Sequence, residues 1–251
     1  MQLYYENDDL GHPIGLPVAS LTKAIHPKDA ENKVLIGKYC TLYPLNIDAH
    51  ATELFDSFSL DTSNESWRYM NYGPFENVSQ YKEFLTIATS KVNEYFYAIL
   101  SSGRAVGVCS YLRIDCDNRS IEVGHLMFSK LMQRTIISTE ALIIMARHAF
   151  DDLKYRRYEW KCNVLNQPSI NAAQRLGFTF EGIHRQAVIS KGRNRDTAWF
   201  SILDSEWYLL QHIYSDWLAS LDSHGIQAYS LSSKTVSKQR FPEFTLTIEK
   251  K

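Results

Sequence analysis

Two groups of residues in this 251-residue chain have the types and spacing for chemistry. The first is Glu122, in the segment SIEVGHLMF, flanked by apolar residues on what reads as an internal strand. Burial there would raise its pKa and suit it to accepting a proton as a general base. A structural glutamate paired with an arginine or a backbone group is the alternative, and the sequence leaves both open. His125 alternates to the opposite face of the same strand and reads as a packed side chain, with a catalytic role as the alternative. The second group is the loop Gln133, Arg134, Thr135, Ile136, Ile137, Ser138, which runs into the helical run TEALIIMARHAFDDL. A helix N-terminus offers several N–H donors and a favourable dipole to a phosphate group. Gln133 and Arg134 would add side-chain donors, Arg134 would add charge, and Ser138 or Thr139 would cap the helix. An ordinary capped helix after an ordinary loop is the plainer reading of the same residues.

Positioning those groups takes a sheet with helical crossovers. Residues 37–45 alternate and predict a first strand. Asp48 is placed to cap a helix that runs to about residue 58. The aromatic-rich connection SNESWRYMNYGPF leads to a second helix over 79–90, with Tyr81, Phe84, Leu85 and Ala88 at helical spacing. EYFYAIL, AVGVCSYLRI and SIEVGHLMF follow as an antiparallel meander, with Gly103 free to take a positive φ in its first turn. The long helix carries Leu142, Met145, Ala149 and Leu153 as an apolar stripe. RRYEWKCNV is a strand, NQPSINAAQRLGF a short helix closed by Gly177, and FTFEGIHRQAV and DTAWFSIL a hairpin around SKGRNR. The helix SEWYLLQHIYSDWLASL completes the order. Hairpins mixed with helix crossovers predict an α/β (α+β) fold with a mixed, mostly antiparallel sheet flanked by helices. Residues 1–33 read as an N-terminal extension, 34–221 as one domain and 222–251 as a C-terminal extension.

Composition narrows the function classes. A hydrophobic content of 45% supports one large buried core. The net charge of −1 provides no global field for nucleic acid or an anionic membrane, so neither is expected as a partner. The acidic first ten residues do not read as a secretory signal, and no apolar run reaches the roughly 20 residues of a membrane span. Cys40, Cys109, Cys116 and Cys162 lack metal or redox spacing, and the eight histidines are dispersed. The expectation is a cytoplasmic protein with reduced thiols and no metal.

Three segments carry a family resemblance. TEAL after a Gln-containing loop resembles an acyl-CoA pyrophosphate motif. NQPSINAAQRLGFTFEG resembles the pattern Asn-x-x-Ser, amphipathic helix, Leu-Gly-Phe, Glu-Gly. DTAWFSILDSEW resembles the closing strand and helix of the Rim-like branch, which includes ribosomal-protein N-terminal acetyltransferases. Together, over residues 37–221, the chain resembles the GNAT superfamily of N-acetyltransferases. It departs from the family at two places. Ile136 stands where the phosphate loop's first glycine is expected, and a β-branched residue resists positive φ, so the loop must take another path. Ala173 stands where many members carry a tyrosine acid.

The resemblance implies the GNAT fold, a sheet splayed in the middle to take acetyl-CoA as cosubstrate. It implies CoA phosphates against Gln133, Arg134, Thr135, Ser138 and Thr139. The pantetheine arm would lie along Leu126, Met127 and Phe128, where this strand parts from residues 158–163. A backbone N–H near Leu126 or Met127 would face the thioester oxygen and stabilise its developing charge. Glu122 would take the amine's proton. Ser169 would hydrogen-bond the departing sulfur or simply start its helix, and Asn166 would bind the CoA arm or cap that helix. Trp67, Tyr69 and Tyr72 would border the acceptor cleft, and Lys191, Arg193 and Arg195 would form a basic turn that attracts an acidic acceptor or is merely solvated. The implied activity is acetyl transfer to a primary amine, a protein N-terminus or a small molecule, by a monomer or homodimer. The alternatives are a module that holds acyl-CoA without turnover and a transferase of a larger acyl group.

Overall fold

A computed structural model describes residues 4–31, 33–221 and 231. The expected C-terminal extension, residues 222–251, lies outside the described residues apart from Leu231. Near the N-terminus, β1 (Tyr5–Asn7) and β2 (Pro13–Gly15) form an exposed two-stranded hairpin. From Ala24 onward the segment belongs to the main core. Ala24 and Ala30 are buried in it, Ala24 N donates to Cys116 O (3.0 Å), and Ile25 N donates to Leu153 O (2.9 Å).

The main sheet has eight strands. They are β3 (Leu35–Ile36), β4 (Thr41–Pro44), β5 (Glu94–Ser101), β6 (Arg104–Asp115), β7 (Ser120–Phe128), β8 (Arg157–Asn163), β9 (Thr179–Ser190) and β10 (Arg193–Leu203). Their spatial order is β3-β4-β5-β6-β7-β8-β10-β9, and every neighbouring pair is antiparallel except β7 with β8. α1 (Ile47–Ser59) and α2 (Val78–Thr89) pack on one face, where Leu54, Phe58, Trp67, Tyr81 and Leu85 meet Phe96, Ala98, Val108 and Met127. α3 (Ile136–Arg147), α4 (Gln167–Arg175) and α5 (Asp204–Ala219) supply residues to the core on the other face, with Tyr97, Tyr111, Ile121, Tyr158, Trp160 and Phe200 from the sheet.

Four local expectations are corrected. The single strand over 37–45 is split, because residues 37–40 form a turn wrapped around the Glu140 carboxylate. That carboxylate accepts the backbone N–H groups of Lys38 (2.7 Å), Tyr39 (2.7 Å) and Cys40 (3.0 Å), and Glu140 is only 2% exposed. A Cβ at Gly37 would fall 2.7 Å from Glu140 Oε2, so the turn accommodates glycine there. α1 is capped by Asn46, whose Oδ1 accepts Ala49 N, while Asp48 sits in the first turn and complements the dipole. α3 begins at Ile136, three residues before TEAL, so Ser138 and Thr139 lie inside its first turn and do not cap it. The helix is buried well beyond one stripe, with Ile143 and Ile144 as enclosed as Leu142 and Met145. The fourth correction concerns β7. Ser110 pairs with Gly124 and Val108 with Met127, so β7 carries one extra residue, and His125 there has φ +47°.

The Glu140 turn yields a stability prediction. Glu140→Ala removes the acceptor of three amides and is expected to cost about 3 kcal/mol or more. Glu140→Gln, which retains one carbonyl oxygen, should cost less. Chemical denaturation of both variants measures this, and an unchanged midpoint for the alanine variant would mean that the turn does not depend on the carboxylate.

Candidate active site

β7 and β8 pair for only four steps, from Ser120 with Arg157 to Val123 with Trp160. Beyond them β7 continues along β6 through its extra residue, while β8 gives way to α4. A cleft of about 1340 Å³ lies at this divergence. Its walls include Leu126, Met127 and Phe128 of β7, the 133–136 loop with Ser138 and Thr139, Trp160 of β8, and Asn166 to Ser169 at the start of α4. Ser66, Arg68 and Tyr69 close one side. Arg68, Lys130, Arg134 and Arg175 line it against a single carboxylate, Glu65, so the cleft is electropositive.

The phosphate-facing end is built without a glycine nest. Ile136 is the first residue of α3 and is not among the positive-φ residues; Arg134 takes that conformation instead, at φ +58°. The loop thus makes its left-handed step two residues earlier than the family pattern places it. Thr135 occupies the N-cap position but makes no cap, since its Oγ1 donates to Met132 O (2.8 Å). Ser138 Oγ donates back to Thr135 O (2.8 Å). No side chain caps the helix, so its first amides are available to an anion. Arg134 is exposed beside them. Gln133 Nε2 donates to Phe128 O (2.7 Å) and Ser66 Oγ (2.9 Å), so it latches the loop to both cleft walls. Thr139 Oγ1 accepts from Arg175 Nη1 (2.8 Å), a contact between α3 and α4.

At the other end of the cleft the extra residue in β7 sorts the side chains. Met127 enters the α1/α2 core, and Leu126 and Phe128 pack toward the α3 side. Ser169 Oγ accepts from Trp160 Nε1 (3.0 Å), which orients the hydroxyl and leaves its own proton to donate. Asn166 Oδ1 caps α4 through Ser169 N (3.2 Å). Ala173 is fully buried and carries no group that could donate a proton.

Glu122 does not line the cleft. It is 6% exposed and held by Lys161 Nζ at 2.5 Å, with Arg113 Nε at 3.6 Å. Burial pushes its pKa up, against the opposing pull of Lys161. Lys161 also meets Glu159 (3.2 Å) and lies 3.5 Å from the centre of the Trp199 ring. His125 is the residue that sequence alternation misplaced. Glu94, Leu112 and Glu122 are cross-strand partners and therefore share a face, and His125 Nε2 lies 3.2 Å from Glu94 Oε2 on that face. Its Nδ1 lies 3.0 Å from the Tyr72 hydroxyl. The extra residue in β7 brings His125 round to the face of Glu122, and nothing in SIEVGHLMF signals that insertion.

The aromatic connection divides its labour. Trp67 is 5% exposed and packs edge-on against Phe58 and Phe75, Tyr69 lines the cleft, and Tyr72 joins His125. Asp61 fixes this connection by accepting Ser66 N (2.8 Å) and Ser63 Oγ (3.0 Å), with Lys130 at 3.3 Å. Although burial works against it, these bonds bring the Asp61 carboxyl down to about 2. The β9–β10 hairpin reaches over from the far edge: Lys191 Nζ donates to Trp67 O (2.9 Å) and Arg195 Nη1 to Asn71 Oδ1 (3.3 Å), while Arg193 is exposed. Among the described residues no cluster of His, Cys, Asp and Glu could hold a metal ion, and no helix is long and apolar enough to cross a membrane.

Comparison with known proteins places this architecture. The family described as acetyltransferase (GNAT) domain matches residues 40–179. An uncharacterized N-acetyltransferase, p20, of Bacillus licheniformis is 28% identical over 66% of this chain and 98% of that protein. The ribosomal-protein-serine acetyltransferase of Escherichia coli K12 is 31% identical over 44% of this chain and 62% of that protein, in keeping with the Rim-like resemblance. A crystal structure of a GCN5-related N-acetyltransferase from Brucella melitensis superposes with a TM-score of 0.82 at 38% identity, covering 87% of this chain and 99% of that one. The splayed eight-stranded sheet and its cleft are those of an acetyltransferase, and the chain belongs to the GNAT family.

Proposed function

We propose that the cleft binds acetyl-CoA and that the protein passes its acetyl group to a primary amine presented from the α1/α2 face of the sheet. The observation that carries this reading is the meeting, in one electropositive cleft, of an uncapped helix N-terminus and a strand edge left without a partner. The first suits a pyrophosphate, the second an extended amide-bearing arm that can add to the sheet. Acetyl-CoA is consumed as a substrate and supplies the activated acyl group. The amine nitrogen bonds to the carbonyl carbon, the C–S bond breaks, and the electron pair leaves with sulfur. The leaving thiol needs little acid help, and Ser169 is the hydroxyl nearest to that role.

Arg134 and the amides of residues 136–138 hold the phosphates in this reading, with Thr135, Ser138 and Thr139 shaping the loop rather than contributing charge. Asn166 keeps its carboxamide NH₂ for the pantetheine arm once Oδ1 has capped α4. Amides of residues 126 and 127 stabilise charge on the thioester oxygen. Tyr69 borders the amine's approach, with Trp67 and Tyr72 as its packed support.

For the proton that an amine of pKa about 10 must lose, Glu122 is the first assignment, because it is a buried carboxylate whose pKa is raised. A second reading is favoured by the chain Tyr72–His125–Glu94, in which a 3.0 Å hydrogen bond from Tyr72 to His125 and a 3.2 Å ion-pair contact from His125 to Glu94 lead from the aromatic connection to a carboxylate. The two assignments separate in kinetics. Glu122→Gln should lower kcat by roughly 10²–10⁴-fold and move the acidic limb of the pH–rate profile if Glu122 takes the proton. His125→Gln should do so instead if the chain takes it. A folded Glu122→Gln variant with unaltered profile would confine Glu122 to its ion pair with Lys161.

Calorimetry with acetyl-CoA tests the binding half of the reading. Arg134→Glu should weaken binding by roughly tenfold or more, and high salt should weaken the parent protein, since exposed charge pairing is screened. Ile136→Gly should still bind, because the helix amides do not depend on a glycine nest. Thiol release in a screen of amines, with acetyl- and succinyl-CoA compared, tests the transfer half. Binding without thiol release would favour a module that holds acyl-CoA without turnover, and no binding at low or high salt would overturn the reading.

A further inference from the structure

β10 carries a row of donors that the acetyl-transfer chemistry leaves unused. Arg195, Thr197 and Trp199 alternate along the strand, so they share one sheet face. The cross-strand partners of Thr197 and Trp199 are Asn163 and Lys161, which identifies it as the face of Glu122 and Lys161. Each of the three has a buried polar atom without a hydrogen-bond partner: Arg195 Nε, Thr197 Oγ1 and Trp199 Nε1. Thr197 is only 5% exposed. Buried polar groups are normally satisfied, and three unsatisfied ones on alternate residues of one strand need an explanation. Arg Nε–H and Trp Nε1–H are donors only, and a threonine hydroxyl can donate as well. Such a row is complementary to a group that only accepts.

The surrounding charge has the matching sign. Lys161 and Arg113 lie 3.5 and 5.4 Å from the centre of the Trp199 ring, and the His184 ring lies tilted against it with the centroids 4.5 Å apart. Glu122 and Glu159 face the row from β7 and β8, but both are engaged by Lys161. Arg113, Lys161, Lys191 and Arg195 set four positive charges against the two negative charges of Glu122 and Glu159. The row is also next to the place where an acceptor would enter. Arg195 and Lys191 touch Asn71 and Trp67, in the connection whose Ser66, Arg68 and Tyr69 wall the cleft.

We propose that Arg195, Thr197 and Trp199 bind an anionic group, a carboxylate or a phosphate, carried by the acceptor, so that the preferred substrates are amines with an acidic second group. This deepens the acetyl-transfer reading and rests on it. The anion anchors one end of the acceptor against β10, and the free amine then points toward the cleft mouth.

The test uses matched amines that differ only in that group: an amino acid against its amide, and phosphoethanolamine against ethanolamine. The parent protein should show a kcat/KM at least tenfold higher for the anionic member of a pair, with the difference in KM. The two pairs distinguish carboxylate from phosphate. Arg195→Gln should remove the preference and Thr197→Val, nearly isosteric, should reduce it, while retained acetyl-CoA affinity by calorimetry certifies that each variant is folded. Equal or better use of the neutral amines, or a preference that survives Arg195→Gln, overturns the proposal. A second readout does not need turnover. With CoA present, N-acetylglycine should bind the parent protein measurably more tightly than N-acetylglycinamide, and Arg195→Gln should erase that difference. If no amine releases thiol but this difference is seen, the transfer reading fails and the anion site stands; if the two ligands bind alike, the anion site fails.

Discussion

The structure turns on an unequal strand, β7. One of its edges is paired along most of its length by β6, and the other is paired by β8 for four residues and then released. Backbone amides at the released edge must find another partner or meet water, which is why the middle of a sheet is seldom left open. The extra residue at His125 lets β7 bend away while its pairing to β6 resumes at Met127. Because of that insertion, Met127 anchors in the α1/α2 core while Leu126 and Phe128 anchor on the α3 side. The opening is therefore held by packing on both faces.

Two fields of charge flank this opening and differ in character. The cleft side presents Arg68, Arg134 and Arg175, together with a Lys130 paired to Asp61, an arrangement suited to a polyanionic ligand. The other face presents a ladder in which Glu122, Lys161 and Glu159 meet in near-complete burial. Buried pairs of this kind gain little net stability, because desolvation offsets the attraction. Their effect is to fix side-chain positions across β7 and β8 just before the strands part. Arg157 extends the ladder to Glu159 at 2.7 Å and to Glu181 on β9 at 2.5 Å, which ties in the far edge of the sheet.

The element order was legible in the sequence because each element is locally consistent. Periodic apolar residues mark the helices, alternating strands end in recognisable turns, and Gly177 takes its φ of +82° at the end of α4. The position of Ile136 was legible for the same reason, since a β-branched residue excludes one loop path. What was illegible came from long-range contacts. The turn at 37–40 exists because of a carboxylate about a hundred residues away, and Asn46 outcompetes Asp48 as a cap because of where the chain enters the helix. The insertion in β7 reversed the predicted side for His125, since a one-residue change of register moves a side chain to the other face. The internal bonds of Gln133 were illegible for a related reason. A side-chain donor at the mouth of a loop serves a ligand or the loop itself, and only tertiary geometry shows which.

The wrapped carboxylate of Glu140 also bears on where the folding unit begins. Family similarity starts at residue 40, yet the amides of Lys38 and Tyr39 and the buried Ala24, Ala30 and Leu35 precede it. A shortened chain starting at the similarity boundary would keep all the cleft-lining residues. It would nevertheless strip one side of α3, leaving an enclosed negative charge with most of its solvation removed and an apolar helix flank facing water. The segment before the similarity boundary is thus part of the lining of α3, the helix whose open end faces the cleft.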